Sequence, residues 1–245
     1  MDRDEFVRSL RDQINLVEPI YVIESPSSRD LYDGRNEGDA LAKTLKLGSI
    51  EVAYYLAPDM DMLERAFLDI GAAIKSRPDI EDVMPFIHIS AHGGEEGIQL
   101  TDYKDVRWAQ LSELFCGLHK TVGKLDALES YFGEVPKTAL SLSSCSSFTN
   151  YKKNLPEFVP FQAMIGPNID VGWCQSLVGF STFYYQAFLR KATYWDAVDS
   201  MNAAAASTEE PIFELLAPHI TDEKLIAATD DIMQIMGFSK EKDPE

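Results

Sequence analysis

The stretch "PFIHISAHGGEEGIQL", residues 85–100, carries an apolar run up to His92, which two glycines follow. A near-continuous apolar run of this length is typical of a strand that is buried on both faces of a sheet. Further along the chain, "TALSLSSCSSF" (138–148) has the same form and ends its apolar run at Cys145. Both runs are therefore predicted to be buried strands that carry a chemically reactive side chain at their carboxyl ends.

The rest of the chain alternates short apolar runs with longer helical segments, which predicts an α/β fold with a mainly parallel central sheet and helices on both faces. The predicted strands are 20–25, 49–57, 83–91, 97–100, 138–144 and 160–167, and the predicted helices are 4–16, 36–47, 59–77, 107–132, 174–191 and 194–206. The stretch "SPSSRD" (25–30) is interpreted as a loop. Because functional loops of such sheets lie at the carboxyl ends of the strands, we expect His92 and Cys145 at one edge.

The chain is predicted to form one domain over residues 1–206, which includes a short N-terminal helix. Residues 207–245 have the spacing of two further helices and are interpreted as a C-terminal helical appendage. We expect these helices to dock on a partner, or a sensing function to lie in a separate subunit.

Composition limits the classes of function. The 245 residues include 40 acidic and 22 basic residues, so the formal net charge is −18. Such a surface repels nucleic acid and anionic membranes and attracts basic peptides, although solubility alone also explains an acidic surface. No apolar run reaches the roughly 18 residues of a membrane span, and residues 1–16 lack a signal core, so a cytoplasmic protein is expected. Three cysteines without a C-x-x-C pair argue against a disulfide framework and a zinc site.

A cysteine and a histidine at neighbouring strand ends have the chemistry of acyl transfer. The thiolate is the nucleophile, and an imidazole can remove the thiol proton and later protonate an amine leaving group. Glycines after His92 allow close approach of the main chain and a positive φ, and backbone N–H groups can stabilise an oxyanion. A cysteine at a strand end is also an ordinary core residue, so the hypothesis depends on its pairing with His92.

A hydrophobic strand ending in His-Gly, followed by one ending in Ser-Cys, resembles the caspase-like (clan CD type) cysteine peptidases. The stretches "FIHISAHGGEEGIQL" and "LSLSSCSS" are most similar to the bacterial CHAT-domain proteases, as is "GFSTFYYQAFLRKATYWDAVDSMNAA" (179–204). His92 and Cys145 are separated by about 50 residues, as the corresponding residues of caspases are. The resemblance covers roughly residues 18–206.

This resemblance implies a caspase-like three-layer sandwich and a cysteine endopeptidase that needs no cofactor and no metal. It assigns His92 as the general acid and base, Cys145 as the nucleophile, and the amides of Gly93 and Cys145 as the oxyanion hole. The similarity to CHAT-domain proteases further implies that the protein cleaves a partner protein in a bacterial defence or regulated-death system, after activation by a sensor or partner subunit.

Substrate preference is not fixed by the resemblance. The Gln-Ala-Cys-Arg-Gly element of caspases is absent, and Ser143 occupies the position at which metacaspases carry an acid. Asp170, in a loop beside the expected cleft, and Glu24, at the end of the first strand, are candidates to face a basic side chain at the cleavage site of a protein substrate. A simple turn residue is the alternative interpretation of Asp170.

Two other interpretations remain open. A catalytically silent caspase-like domain would act as a binding or assembly module, and the Cys145→Ala variant would distinguish it from an enzyme. A receiver-type or flavodoxin-like domain would need a cluster of acids at strand ends, whereas the first strand ends in the single Glu24. His88 shares a strand face with His92, but no third metal ligand follows at a useful spacing, so we interpret it as a core residue.

Overall fold

The computed structural model describes residues 18–125, 133–205 and 210–219. Within these residues, an eight-stranded and mostly parallel sheet lies between helices on both faces, which confirms the predicted α/β fold. The predicted helix 4–16 and the end of the predicted helix 107–132 lie outside the described residues. None of the helices in the described part of the chain combines the length and the apolar character needed to cross a lipid bilayer.

The central sheet has the strand order β2-β1-β3-β6-β7-β8. The first five of these strands are mutually parallel, and β8 is antiparallel to β7. Two short antiparallel strands, β4 and β5, extend the carboxyl end of β3. The strands are β1 (Ile20–Ser25), β2 (Val52–Leu56), β3 (Phe86–Gly93), β4 (Gly97–Gln99), β5 (Asp105–Arg107), β6 (Ala139–Ser143), β7 (Ala163–Pro167) and β8 (Phe213–Leu216).

Both faces of the sheet are buried, because successive side chains of each central strand enter opposite cores. In β1, Ile20 and Val22 join one core, and Tyr21 and Ile23 join the other. The described part of the chain contains seven α-helices, and a π-helical turn (Tyr185–Leu189) extends the sixth. They are α1 (Ser28–Asp33), α2 (Glu37–Leu47), α3 (Met60–Lys75), α4 (Trp108–Val122), α5 (Ser147–Lys153), α6 (Trp173–Tyr184) and α7 (Tyr194–Ala205).

Helices α3, α4 and α5 pack on the face of Tyr21 and Ile23, and helices α2, α6 and α7 pack on the face of Val22. Helix α3 begins as the sequence predicts, because the carboxylate of Asp59 accepts a hydrogen bond from the Met62 backbone N–H at 2.9 Å. The six helices thus cover both faces of the sheet, and the loops that could form a site lie at the ends of the strands.

The predicted helical appendage after residue 206 is wrong for Phe213–Leu216, which forms β8 and completes the sheet. The side chain of Asn202 fixes this strand: its Oδ1 accepts hydrogen bonds from the backbone N–H groups of Ile212 and Phe213 at 2.9 and 2.8 Å. Burial of Ile212 and Phe213 against α6 and α7 outweighs the local helical spacing. The remainder of the predicted appendage, from residue 220 onward, lies outside the described residues.

Candidate active site

His92 and Cys145 line one cavity at the carboxyl ends of β3 and β6. These strands are parallel neighbours in which Ser90 pairs with Ser143, and His92 and Cys145 each follow this pair by two residues. The cavity has a volume of about 110 Å³. Its lining consists of Ala91, His92, Ser143, Ser144, Cys145, Val171, Gly172, Trp173 and Ser176.

Gly93 brings the two strand ends into direct contact. A Cβ atom at this position would lie 2.3 Å from the carbonyl oxygen of Cys145 and 2.9 Å from its backbone nitrogen. Glycine is needed here for close approach and not for a positive φ, because neither Gly93 nor Gly94 is among the positive-φ residues. The absence of a side chain at Gly93 therefore positions the Cys145 backbone beside His92.

Cys145 lies in a tight turn between β6 and α5. The next residue, Ser146, adopts the left-handed conformation with φ 52° and ψ 18°, which costs about 1 kcal/mol for a non-glycine residue. Ser146 N–H donates to the Ile169 carbonyl at 3.0 Å, and Ser146 Oγ donates to Asp170 Oδ1 at 2.9 Å. The loop after β7 thus holds the turn that presents the thiol.

The thiol of Cys145 is half-buried and donates to the carbonyl oxygen of Val171, with the sulfur 3.5 Å from that oxygen. In the described part of the chain, no hydrogen bond joins Cys145 to His92, and the backbone N–H of Cys145 donates no hydrogen bond. An N–H group without a partner is suited to stabilise a negative oxygen of a bound acyl group.

The imidazole of His92 is fixed by two contacts. Its Nε2 atom lies 2.7 Å from Asp30 Oδ2, and its ring packs edge-on against Trp173 with centroids 5.1 Å apart. Because Nε2 is engaged by a carboxylate, Nδ1 is the ring nitrogen that remains for proton exchange. The side chain is 41% exposed, so a substrate can reach the ring from solvent.

Asp30 is a site residue that the sequence analysis missed. Its carboxylate is buried and accepts a hydrogen bond from Ser27 Oγ at 2.5 Å, while Arg35 Nη2 lies 3.1 Å from Oδ1. Burial alone would raise the pKa of the Asp30 carboxyl. The hydrogen bonds from Ser27 and His92 and the electrostatic interactions with His92 and Arg35 outweigh burial and hold this pKa below its ordinary value.

The segment that carries Asp30 was predicted to be a loop, but Ser28–Asp33 forms helix α1. Ser27 caps this helix by accepting a hydrogen bond from the Asp30 N–H at 3.1 Å, and Gly34 ends it in the left-handed conformation. The Ser-x-x-Asp spacing of Ser27 and Asp30 was the available signal, since it is a form of the capping box.

The glycine-containing loop between β3 and β4 is anchored from two helices. Trp108 Nε1 donates to the Glu95 carbonyl at 2.9 Å, and Asn150 Nδ2 donates to the Gly94 carbonyl at 3.2 Å. The Glu95 and Glu96 residues of this loop are exposed, as expected for solvated charges near the mouth of a cleft.

The two residues expected to bind a basic substrate side chain do not line the cavity. Glu24 is buried and accepts hydrogen bonds from the Gly38 and Asp39 N–H groups at 2.8 and 3.0 Å and from the Tyr54 hydroxyl at 2.7 Å. Burial raises the pKa of this carboxyl, and the contacts give it a structural role at the start of α2. Asp170 is exposed at the rim, bonded to Ser146.

His88 is fully buried, which confirms its interpretation as a core residue. Its Nδ1 atom lies 3.2 Å from the Tyr184 hydroxyl, and its ring packs edge-on against Phe180 at 4.7 Å. Within residues 18–125, 133–205 and 210–219, no three His, Cys, Asp or Glu side chains are grouped to hold a metal ion.

The arrangement combines a thiol, an imidazole held by a carboxylate, and an unpartnered backbone N–H around one small cavity. Comparison of the chain with protein-family models and with curated proteins finds no match.

Proposed function

We propose that the protein is a caspase-like, CHAT-type cysteine endopeptidase in which His92 and Cys145 cleave a partner protein. The observation that carries this proposal is that an Asp30-bound imidazole and the Cys145 thiol line the same cavity. A histidine oriented by a carboxylate next to a nucleophile is the arrangement that acyl-transfer enzymes use on unrelated folds.

In the first half of the reaction, His92 removes the proton from Cys145 Sγ, and the thiolate attacks the carbonyl carbon of the scissile peptide bond. The Cys145 N–H stabilises the resulting oxyanion, together with the main chain at Gly93, which lies against the Cys145 backbone. Asp30 keeps the ring in one orientation and lies next to the positive charge that the ring carries at this stage.

Collapse of the oxyanion breaks the carbon–nitrogen bond, and His92 donates its proton to the leaving amine. A thioester now joins the acyl part of the substrate to Cys145. His92 then removes a proton from water, the resulting hydroxide attacks the thioester, and a carboxylic acid and the free thiol are released. No electron transfer and no cofactor enter this sequence.

The bond from Cys145 Sγ to the Val171 carbonyl bears on regulation. The thiol must leave this acceptor and turn toward His92 before the proton can be transferred. Binding of a substrate or an activating partner would favour the turned rotamer, in keeping with the switched activity of the CHAT-domain proteases that the sequence resembles. A role in a bacterial defence or regulated-death system is part of this proposal.

The same bond favours one second candidate. If the thiol never leaves Val171, the domain is a catalytically silent binding or assembly module. In that case the site would be a relic of an active fold, and the acidic surface would bind a basic partner without cutting it.

A single experiment separates the two candidates. The full-length protein and the Cys145→Ala variant are incubated with a proteome-derived peptide library, with and without neighbouring-gene products as activators, and new termini are identified by mass spectrometry. The Cys174→Ala variant is the matched control, because Cys174 is an exposed thiol on α6 that does not line the cavity. Cleavage that requires Cys145 but not Cys174 supports the enzyme. Peptides that remain intact under all conditions favour the silent module.

A further inference from the structure

Three serines that belong to the lining of the cavity beside Cys145 have buried hydroxyls without a hydrogen-bond partner among the described residues. They are Ser143 and Ser144 at the end of β6 and Ser176 on α6, whose exposed fractions are 0%, 2% and 1%. Buried hydroxyls in folded proteins are almost always paired, so a group of three at one cavity indicates a site prepared for a ligand that can pair with them.

The lining of the same cavity contains no carboxylate, lysine or arginine that could act as a counter-ion for a charged ligand. Apart from His92 and Cys145, none of its lining residues has a side chain that titrates. Asp170, which precedes the lining residue Val171, is exposed and accepts a hydrogen bond from Ser146. The carboxylate of Asp30 is already engaged by Ser27, His92 and Arg35. A charged side chain that entered this space would lose its hydration without gaining an ion pair.

The size and walls of the cavity restrict the ligand further. Ala91, Val171 and Trp173 supply apolar surface, and a volume of about 110 Å³ holds a short side chain only. Hydroxyl groups can both donate and accept, so they pair with the hydroxyl or carboxamide of a neutral partner.

We propose that this serine-containing cavity binds a short, uncharged, hydrogen-bonding side chain of the substrate, such as that of asparagine, serine or threonine, next to the bond that Cys145 attacks. The inference rests on the proposed peptidase function. It replaces the expectation of a basic cleavage site, because the residues that suggested a basic site lie outside the cavity.

The test uses four peptidyl acyloxymethyl ketones that are identical except for the residue next to the ketone, which is Asn, Asp, Leu or Lys. The Asn, Asp and Leu side chains are similar in size. That of Asn is polar and neutral, that of Asp is charged, and that of Leu is apolar. The thiolate displaces the carboxylate leaving group and forms a thioether. The increase in intact mass of the full-length protein over time measures the rate of this labelling. We expect Cys145 to be labelled at least about tenfold faster by the Asn probe than by the other three.

Substitution of one hydroxyl links the preference to the cavity. The Ser176→Ala variant should reduce the ratio of Asn to Leu labelling rates severalfold, because one hydrogen-bonding group is removed while apolar contact is kept. The Ser181→Ala variant is the matched control, since Ser181 is on the same helix outside the cavity lining. It should leave the ratio unchanged.

The outcomes separate this inference from the function on which it rests. Fastest labelling of Cys145 by the Lys, Asp or Leu probe would overturn the side-chain preference and leave the peptidase proposal intact. An Asn preference that Ser176→Ala does not alter would place the recognition elsewhere and overturn the assignment of the cavity. If none of the four probes labels Cys145, with or without candidate activators, both proposals fail.

Discussion

The Nε2 atom of His92 and the Oδ2 atom of Asp30 lie 2.7 Å apart, although the two residues are 62 positions apart in the chain. Asp30 comes from the short helix that follows β1, and His92 comes from the end of the adjacent strand β3. The parallel pairing of these strands thus supplies the imidazole with an orienting carboxylate.

Replacement of this carboxylate should slow catalysis. In the Asp30→Asn variant, we expect kcat to fall by roughly 100-fold with little change in KM, because the amide no longer fixes the ring or faces its positive charge. The readout is the rate at which a peptide substrate is cleaved, measured from pH 5 to 9. Loss of ring orientation should change the pH profile as well as the rate. The Asp33→Asn variant, at an exposed position of the same helix, should retain activity. Equal activity of the two variants would contradict the positioning role.

The same carboxylate should make stability depend on pH. Hydrogen bonds and nearby cations hold the pKa of Asp30 in the folded protein below its value in the unfolded chain. Its stabilising contribution is therefore complete above the unfolded pKa and is lost as the pH falls toward the folded pKa. Urea unfolding between pH 3 and 7 should show a steeper loss of stability at the acidic end for the wild type than for Asp30→Asn. Parallel curves would show that this carboxylate is not held as the structure indicates.

Gly93 provides a steric test of the site. An added methyl group in Gly93→Ala would lie 2.3 Å from the Cys145 carbonyl oxygen, so the Cys145 turn must move. We expect loss of cleavage and a decrease of about 1–3 kcal/mol in the free energy of unfolding, as for other overpacked buried positions. Gly117→Ala is the matched control: on helix α4 nothing lies within 4 Å of the added methyl group, and a gain of about 0.5–1 kcal/mol is expected. Full activity of Gly93→Ala would exclude the proposed contact.

Glu24 should affect stability and leave specificity unchanged. Burial raises its pKa in the folded protein, so the wild type loses part of its stability as the pH rises from the unfolded pKa through the folded one. A neutral Glu24→Gln variant lacks this loss, and its stability relative to the wild type should therefore increase over that pH interval. Chemical unfolding at several pH values measures this difference. If the Glu24→Gln variant instead changed the ratio of labelling rates between the Lys and Asn probes, Glu24 would have a role in substrate recognition.

The sequence was sufficient to predict the parts of the molecule in which local pattern and burial agree. The apolar runs ending at His92 and Cys145 are parallel neighbouring strands because a near-continuous apolar run is stable only when both of its faces are covered. The predicted helix 59–77 is likewise found as α3, whose first turn is stabilised locally by the cap at Asp59.

The parts that could not be predicted depend on distant contacts. Asp30 becomes a site residue only because β1 and β3 pair in parallel, which places the start of α1 beside the end of β3. Glu24 looks the same in sequence whether it faces a cleft or caps a helix, and only the position of α2 decides between these roles. The strand at Phe213–Leu216 forms because β7 and Asn202 offer partners that no local pattern reveals.

Strand β8 has a practical consequence for any attempt to define a minimal version of the protein. It pairs with β7 (Ala163–Pro167), so a chain shortened at residue 206 would leave the backbone N–H and C=O groups on that edge of β7 unpaired. Unpaired strand edges recruit other chains, and such a fragment would self-associate whatever the state of its thiol. Shortened versions intended for crystallisation or assay should therefore retain the chain at least through Leu216.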